Sequence, residues 1–172
     1  ANFKLKPGEP LILSHASGAL LDLAALPTEF RSGLTLGRQG SGPDDWCWFT
    51  TPTPGQPNDG NCLAGILPTP VVVPSSGHFP GPPAVTATTG TPSGPPGQAL
   101  PNMTLRYTTD GSEPTMDSPV FTGTWNPGET IALSIRAFAD GWLPSATVDR
   151  TYFIAEPPSP LERISIVTHP DH

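Results

Sequence analysis

Along most of this chain, apolar and polar residues alternate with a period of two, and proline or glycine breaks the pattern every few residues. That pattern predicts short β-strands separated by tight turns. Phe3 and Leu5 alternate with Lys4 and Lys6, which fits a half-buried strand, and Pro7-Gly8 turns the chain. Leu11, Ile12 and Leu13 form a continuous apolar run, which predicts a strand covered on both faces. Ser17-Gly18 is a second turn, and residues 19–26 return as a strand interrupted by Asp22. A helical turn over 20–26 is the alternative, but that run is short, lacks a cap and stops at Pro27. Ser32 to Arg38, an acidic loop from Gly42 to Asp45, and Trp46 to Phe49 follow.

The second half carries the clearer signal. Leu105, Tyr107 and Thr109 share one strand face, and Arg106 and Thr108 the other. Asp110-Gly111 then turns the chain: glycine accepts positive φ and aspartate can close an Asx-type turn. Glu113-Pro114 blocks a helix, because the residue before proline is pushed out of the α region. Residues 84–89 and 131–138 read as strands, the latter with Ile131, Leu133, Ile135 and Ala137 opposite Ala132, Ser134, Arg136 and Phe138. Trp125 to Gly128 is the turn before it, and 147–154 closes the domain. Between the halves, residues 59–83 read as linker, with prolines holding them extended and Val71–Val73 as a candidate edge strand. Residues 91–101 form a Pro/Gly loop. Residues 156–160 form a stiff polyproline spacer, and 161–168 open a new strand.

The chain has 172 residues, of which 25 are Pro and 18 Gly, so regular structure is interrupted often. Apolar residues still make up 35%, in strand-spaced clusters, which favours small all-β units over disorder. The formal charge of −7, with eight scattered basic residues, argues against a nucleic-acid partner. No apolar run reaches the length of a membrane span and no signal peptide is present. Starting at Ala1 inside a strand pattern, the chain reads as a segment of a longer protein.

Two family resemblances follow from these residues. Tyr107 to Thr115 (YTTDGSEPT), the alternating strand at 131–139, Gly141-Trp142, Ser145 and Thr151-Tyr152 resemble the chitobiase/β-hexosaminidase C-terminal domain, over about residues 79–155. That resemblance implies a small immunoglobulin-like sandwich without a catalytic site, appended to larger secreted proteins. Gly8, Leu11, Leu13, Gly18, Asp22, Gly37, Arg38, Trp46 and the series Thr53-Pro54-Gly55 to Asn58 resemble the second half of a lamin-tail domain. This family is also immunoglobulin-like and serves as an interaction module; its first strands are missing before Ala1. Residues 161–168 are similar to the entry into a CotH kinase-like domain of spore-coat proteins.

The expected architecture is therefore all-β: two immunoglobulin-like β-sandwich modules in series, joined by Pro/Gly-rich linkers. Residues 1–58 form the first, incomplete at its N-terminus, and 59–78 a Pro-rich linker. Residues 79–155 form the second module, and 156–172 a linker and the start of a following domain.

Candidate chemistry is sparse. Cys47 and Cys62 flank a loop that two neighbouring strands could bridge; in an exported protein a disulfide is the reading, with two free buried thiols as the alternative. A zinc site is disfavoured, since no histidine lies near either cysteine in sequence. His15, His78, His169 and His172 are scattered, and no Ser/His/Asp order or G-x-S-x-G stands out. Asp44-Asp45 and the group Asp110, Glu113 and Asp117 could hold calcium, but an acidic turn is favoured because no EF-type series is present. Asp110 and Glu113 as a glycosidase pair receive little weight, since flexible turns position such pairs poorly. Asn102-Met103-Thr104 is a glycosylation sequon. Trp46 or Trp48 and Tyr107 read as core. Trp125 and Trp142 sit beside turns and are the candidates for sugar stacking or partner contact. Phe3 and Leu5 are candidates for contact with a covering chain.

No catalytic residues, cofactor or metal are expected. The chain reads as a non-catalytic structural or interaction segment of a large exported bacterial surface protein, acting as spacer, adhesion or docking module. Its candidate partners are other protein chains or upstream strands of the parent protein, with glycans as a further candidate and no nucleic acid. A carbohydrate-binding accessory module of a secreted enzyme is the alternative. An enzyme whose active domain lies beyond His172 is a third reading.

Overall fold

The computed structural model describes residues 4–27, 30–40, 42, 45–92 and 101–156. Eleven strands, and no helix, occur among them. The chain divides into two compact units, Ala1–Ile66 with Pro92–Leu100 and Leu67–Thr91 with Pro101–His172.

The first unit contains two antiparallel hairpins. β1 (Pro10–Ser14) pairs with β2 (Leu20–Ala25), and β3 (Thr35–Arg38) with β4 (Trp46–Phe49). The two pairs are separate sheets, without a backbone ladder between them. Lys4 to Lys6 do not form the expected strand; the chain turns at Pro7-Gly8, where the Lys6 N–H donates to Glu9 Oε2 at 3.1 Å. Phe3 lies outside the described residues. Trp48, 1% exposed, anchors this unit and meets the Phe30 ring edge-on at 5.9 Å. Trp48 also exchanges both backbone hydrogen bonds with Leu63, at 2.9 and 3.0 Å.

The second unit is the sandwich. One sheet has the order β6 (Gly77–Phe79), β11 (Val148–Ile154), β10 (Ile131–Phe138), β8 (Thr104–Thr108). The other has the order β5 (Val71–Val73), β7 (Val85–Thr88), β9 (Thr124–Trp125). All pairings are antiparallel except β6 with β11, which run parallel. Val72 and Val85 from one sheet meet Leu133, Ile135, Tyr152 and Ile154 from the other, with Phe121 closing the core. This is an immunoglobulin-like β-sandwich, and its core takes the Leu133/Ile135 face that the alternation predicts. On the opposite face Ser134 donates to Asp149 at 2.6 Å.

The stretch expected to be linker, 59–78, is partly folded: Leu63 bridges to Trp48, the start of β6 lies within it, and Val71–Val73 forms the edge strand β5 expected there. Pro70 and Pro74 bracket β5, and an edge strand of three residues tolerates prolines at its ends. The spacer expected at 156–160 and the strand at 161–168 lie almost wholly outside the described residues.

Tyr152 is wholly buried, and its hydroxyl donates to the Pro74 carbonyl at 2.9 Å. Burial raises its phenol pKa above the usual 10.0, a rise that the nearby Arg150 charge partly offsets. A raised pKa means that the native state holds this proton more tightly than the unfolded chain does. The stabilisation is complete below pH 10 and is lost as pH rises through the tyrosine range. Denaturant melts of the wild type are expected to weaken above pH 10. In Tyr152→Phe that alkaline drop shrinks, and the lost hydrogen bond costs about 1 kcal/mol at neutral pH.

Candidate functional site

The residue types that could react are taken up by structure. Asp110 Oδ1 accepts from the Ser112 N–H at 3.0 Å and also from its hydroxyl, the Asx turn expected of Asp110-Gly111. Gly111 sits at φ 86°, where a side chain would be strained. Glu113 pairs with Arg136 and accepts from Thr147, so it does not face Asp110 as a second acid. His15 contacts the Ser17 hydroxyl in a turn at 2.9 Å, and His78 stacks on Phe153 at 4.6 Å. Among the described residues no three His, Cys, Asp or Glu side chains gather as metal ligands, and no helix is long and apolar enough to cross a membrane. His169, His172 and Asp44 lie outside the described residues.

The tryptophans separate. Trp142 is 9% exposed, and its backbone N–H closes a turn onto the Ala139 carbonyl at 3.3 Å. It offers no open ring face, contrary to the expectation from its place beside a turn. Trp125 is half-buried and lies tilted against Tyr107 at 5.8 Å, and Tyr107 also meets Phe121 edge-on. Sequence position beside a glycine turn does not distinguish these two outcomes.

The exposed surface of a different kind is the β1–β2 hairpin. Half of the twelve large hydrophobic residues exposed among the described ones lie on its two strands: Leu11, Ile12, Leu13, Leu20, Leu21 and Leu23. Leu11, Ile12 and Leu13 are 41%, 61% and 59% exposed, so the expected cover on both faces is not there. Leu5, half exposed, adds to the same unit. The register places Ile12 directly opposite Leu23, which gives one face a continuous aliphatic surface. The other face carries exposed Leu11 and Leu13, opposite Ala24, which is 5% exposed, and Asp22. Aliphatic side chains exposed on both faces of one hairpin, on a chain otherwise rich in polar turns, mark an interaction surface.

One side chain ties this hairpin to β3–β4. Arg38 donates from Nη1 to Asp22 Oδ2 at 2.6 Å and from Nη2 to Oδ1 at 2.7 Å, a bidentate fork. Nη2 reaches the Leu23 carbonyl at 3.3 Å, and the guanidinium lies 4.6 Å above the Trp46 ring. The Arg38 hydrogen bond holds the Asp22 carboxyl below its ordinary pKa of 3.8. The pair therefore persists at neutral pH and loosens only as pH falls through the carboxylate range. Sequence reasoning placed Asp22 and Arg38 in a motif without linking them. A lone acid inside an apolar strand was the signal that could have found the pair.

Behind Arg38 the chain is closed. Cys47, 4% exposed, forms a disulfide with the exposed Cys62, 15 residues on, with Cα atoms 5.1 Å apart. Inside that loop, Thr53 Oγ1 donates to Asn58 Oδ1 at 2.8 Å, and Asn58 Nδ2 donates to the Arg38 carbonyl at 2.9 Å. Gly37 makes room: a Cβ there would sit 2.5 Å from Asn58 Nδ2. Gly37→Ala is expected to push Asn58 out and to destabilise the first unit by about 1–3 kcal/mol, measured by chemical denaturation, while the second unit unfolds unchanged.

The second unit thus defines an immunoglobulin-like β-sandwich module with its polar turns internally satisfied. Residues 74–149 match the family model of the chitobiase/beta-hexosaminidase C-terminal domain. No curated protein matches the chain, and no solved structure does.

Proposed function

We propose that this chain is a non-catalytic accessory and docking segment of a large exported bacterial surface protein, with the sandwich as spacer and the β1–β2 hairpin as contact surface. The observation that carries the reading is the concentration of exposed aliphatic side chains on that one hairpin. Its partner is an apolar β-strand, from the parent polypeptide or from another chain. A two-stranded ribbon is marginal alone, and an added strand or layer completes it. The disulfide supports an oxidising, secreted or cell-surface location. The chitobiase-type match supports attachment to carbohydrate-associated machinery. The Gly8-to-Asn58 series, similar to a lamin-tail domain, supports an interaction role for the first unit.

Amide exchange in the parent-length protein tests this directly. The Leu11–Leu13 and Leu20–Leu23 amides are expected to be more protected there, or with the partner chain present, than in the 172-residue chain. Ile12→Asp is expected to abolish that gain. Equal exchange in every setting would refute docking through the hairpin. The carbohydrate-binding reading rests on the family match alone; with Trp142 buried and Trp125 packed on Tyr107, sugar titration is expected to leave the tryptophan fluorescence unchanged.

A further inference from the structure

We infer that the disulfide-closed loop between Cys47 and Cys62 controls the β1–β2 hairpin through Arg38, making Arg38 a redox-dependent positioning residue for the docking surface. The inference rests on the docking reading of that hairpin for its biological meaning, and on geometry alone for its physical content. β1–β2 shares no ladder with β3–β4, so its placement depends on side chains. Arg38 supplies the fork to Asp22 and the contact to the Leu23 carbonyl. Beyond its place in the β3–β4 ladder, Arg38 is held through its side chain and its carbonyl. Trp46 flanks its guanidinium, and Asn58 caps its carbonyl.

Asn58 lies inside the disulfide loop and is oriented by Thr53, also inside it. The loop returns through Gln39, whose side chain donates to the Gly60 carbonyl at 2.7 Å. Closing the loop at Cys47 and Cys62 limits how far Asn58 can stray from Arg38, because cross-linking removes loop conformations. Opening it restores those conformations and weakens the Asn58 contact first.

The chemistry needs an external dithiol. One of its thiolates attacks the sulfur of exposed Cys62, forming a mixed disulfide and expelling the Cys47 thiolate, which takes up a proton. The second thiol of the reagent then attacks the mixed disulfide, leaves as a cyclic disulfide and frees Cys62. The protein disulfide gains two electrons and the dithiol loses two.

Hydrogen exchange on the full chain tests this, with dithiothreitol as the reductant and the second unit as internal reference. On reduction the Leu11–Leu13 and Leu20–Leu23 amides are expected to exchange up to about tenfold faster, the scale of one lost hydrogen bond, while β10 and β11 are unchanged. Asn58→Ala, measured oxidised, is expected to reproduce most of that increase with the disulfide intact. This variant also decides the matter should reduction unfold the first unit as a whole. Unaltered hairpin exchange in oxidised Asn58→Ala, or a reduced protein in which only residues 48–61 speed up, would overturn the proposal. Partner binding does not enter this readout, so a failed docking experiment and a failed coupling experiment remain distinct.

Discussion

Truncating Ile135 to alanine is expected to lower the stability of the second unit by about 2–5 kcal/mol. Ile135 is fully buried at the centre of β10, a strand with hydrogen-bonded neighbours on both sides. Its neighbours on that face, Leu133 and Tyr152, are equally enclosed. Packing of this density relaxes poorly around a deleted side chain, so the loss combines the transfer term and a cavity term. Urea melts followed by Trp125 and Trp142 fluorescence measure it. The first unit, which shares none of this core, should keep its own transition. A loss below about 0.5 kcal/mol would mean that β10 is not the enclosed centre described above.

Replacing both Cys47 and Cys62 by serine carries the second large effect. A loop of 15 residues predicts about 3 kcal/mol of destabilisation, from the conformations regained by the unfolded chain. The double variant is expected to unfold its first unit at markedly lower denaturant while the sandwich is unaffected. The buried position of Cys47 beside Trp48 adds to the loss, since serine places a hydroxyl among apolar groups. Calorimetry of wild type with and without reductant gives the same comparison without mutation. Coincident melts under both conditions would contradict the role assigned to the bond.

Much of the sandwich was legible in the sequence, because its long strands carry strict alternation bounded by turn residues. β10 shows it best: Ile131, Leu133, Ile135 and Ala137 are spaced for one face, and no competing helical period exists there. β5 and β9 were harder. Prolines flank the first, and the second is two residues long inside what reads as a turn. The burial of Leu11 to Leu13 was misjudged because a run of apolar residues reports what a strand prefers, not whether anything covers it. Trp142 was misplaced for a related reason, since adjacency to Gly141 says where the backbone turns but not which way the ring goes. The Asp22–Arg38–Asn58 connection joins residues 16 and 20 apart, and no local pattern encodes such a contact.

The parallel pairing of β6 with β11 has a mechanical consequence. β11 is the last strand of the sandwich, and β6 follows only the three-residue edge strand β5; the two lie side by side and point the same way, with Gly77 matched to Tyr152 and Phe79 to Ile154. Once β5 has come away from β7, a pull on the two ends of the module drags β6 and β11 lengthwise past each other. Their hydrogen bonds then share the load in shear and must break together, whereas a hairpin pulled apart at its open end unzips one rung at a time. Unfolding under tension is governed by that barrier and not by equilibrium stability, so a module wired this way can stay folded as a stretched tether.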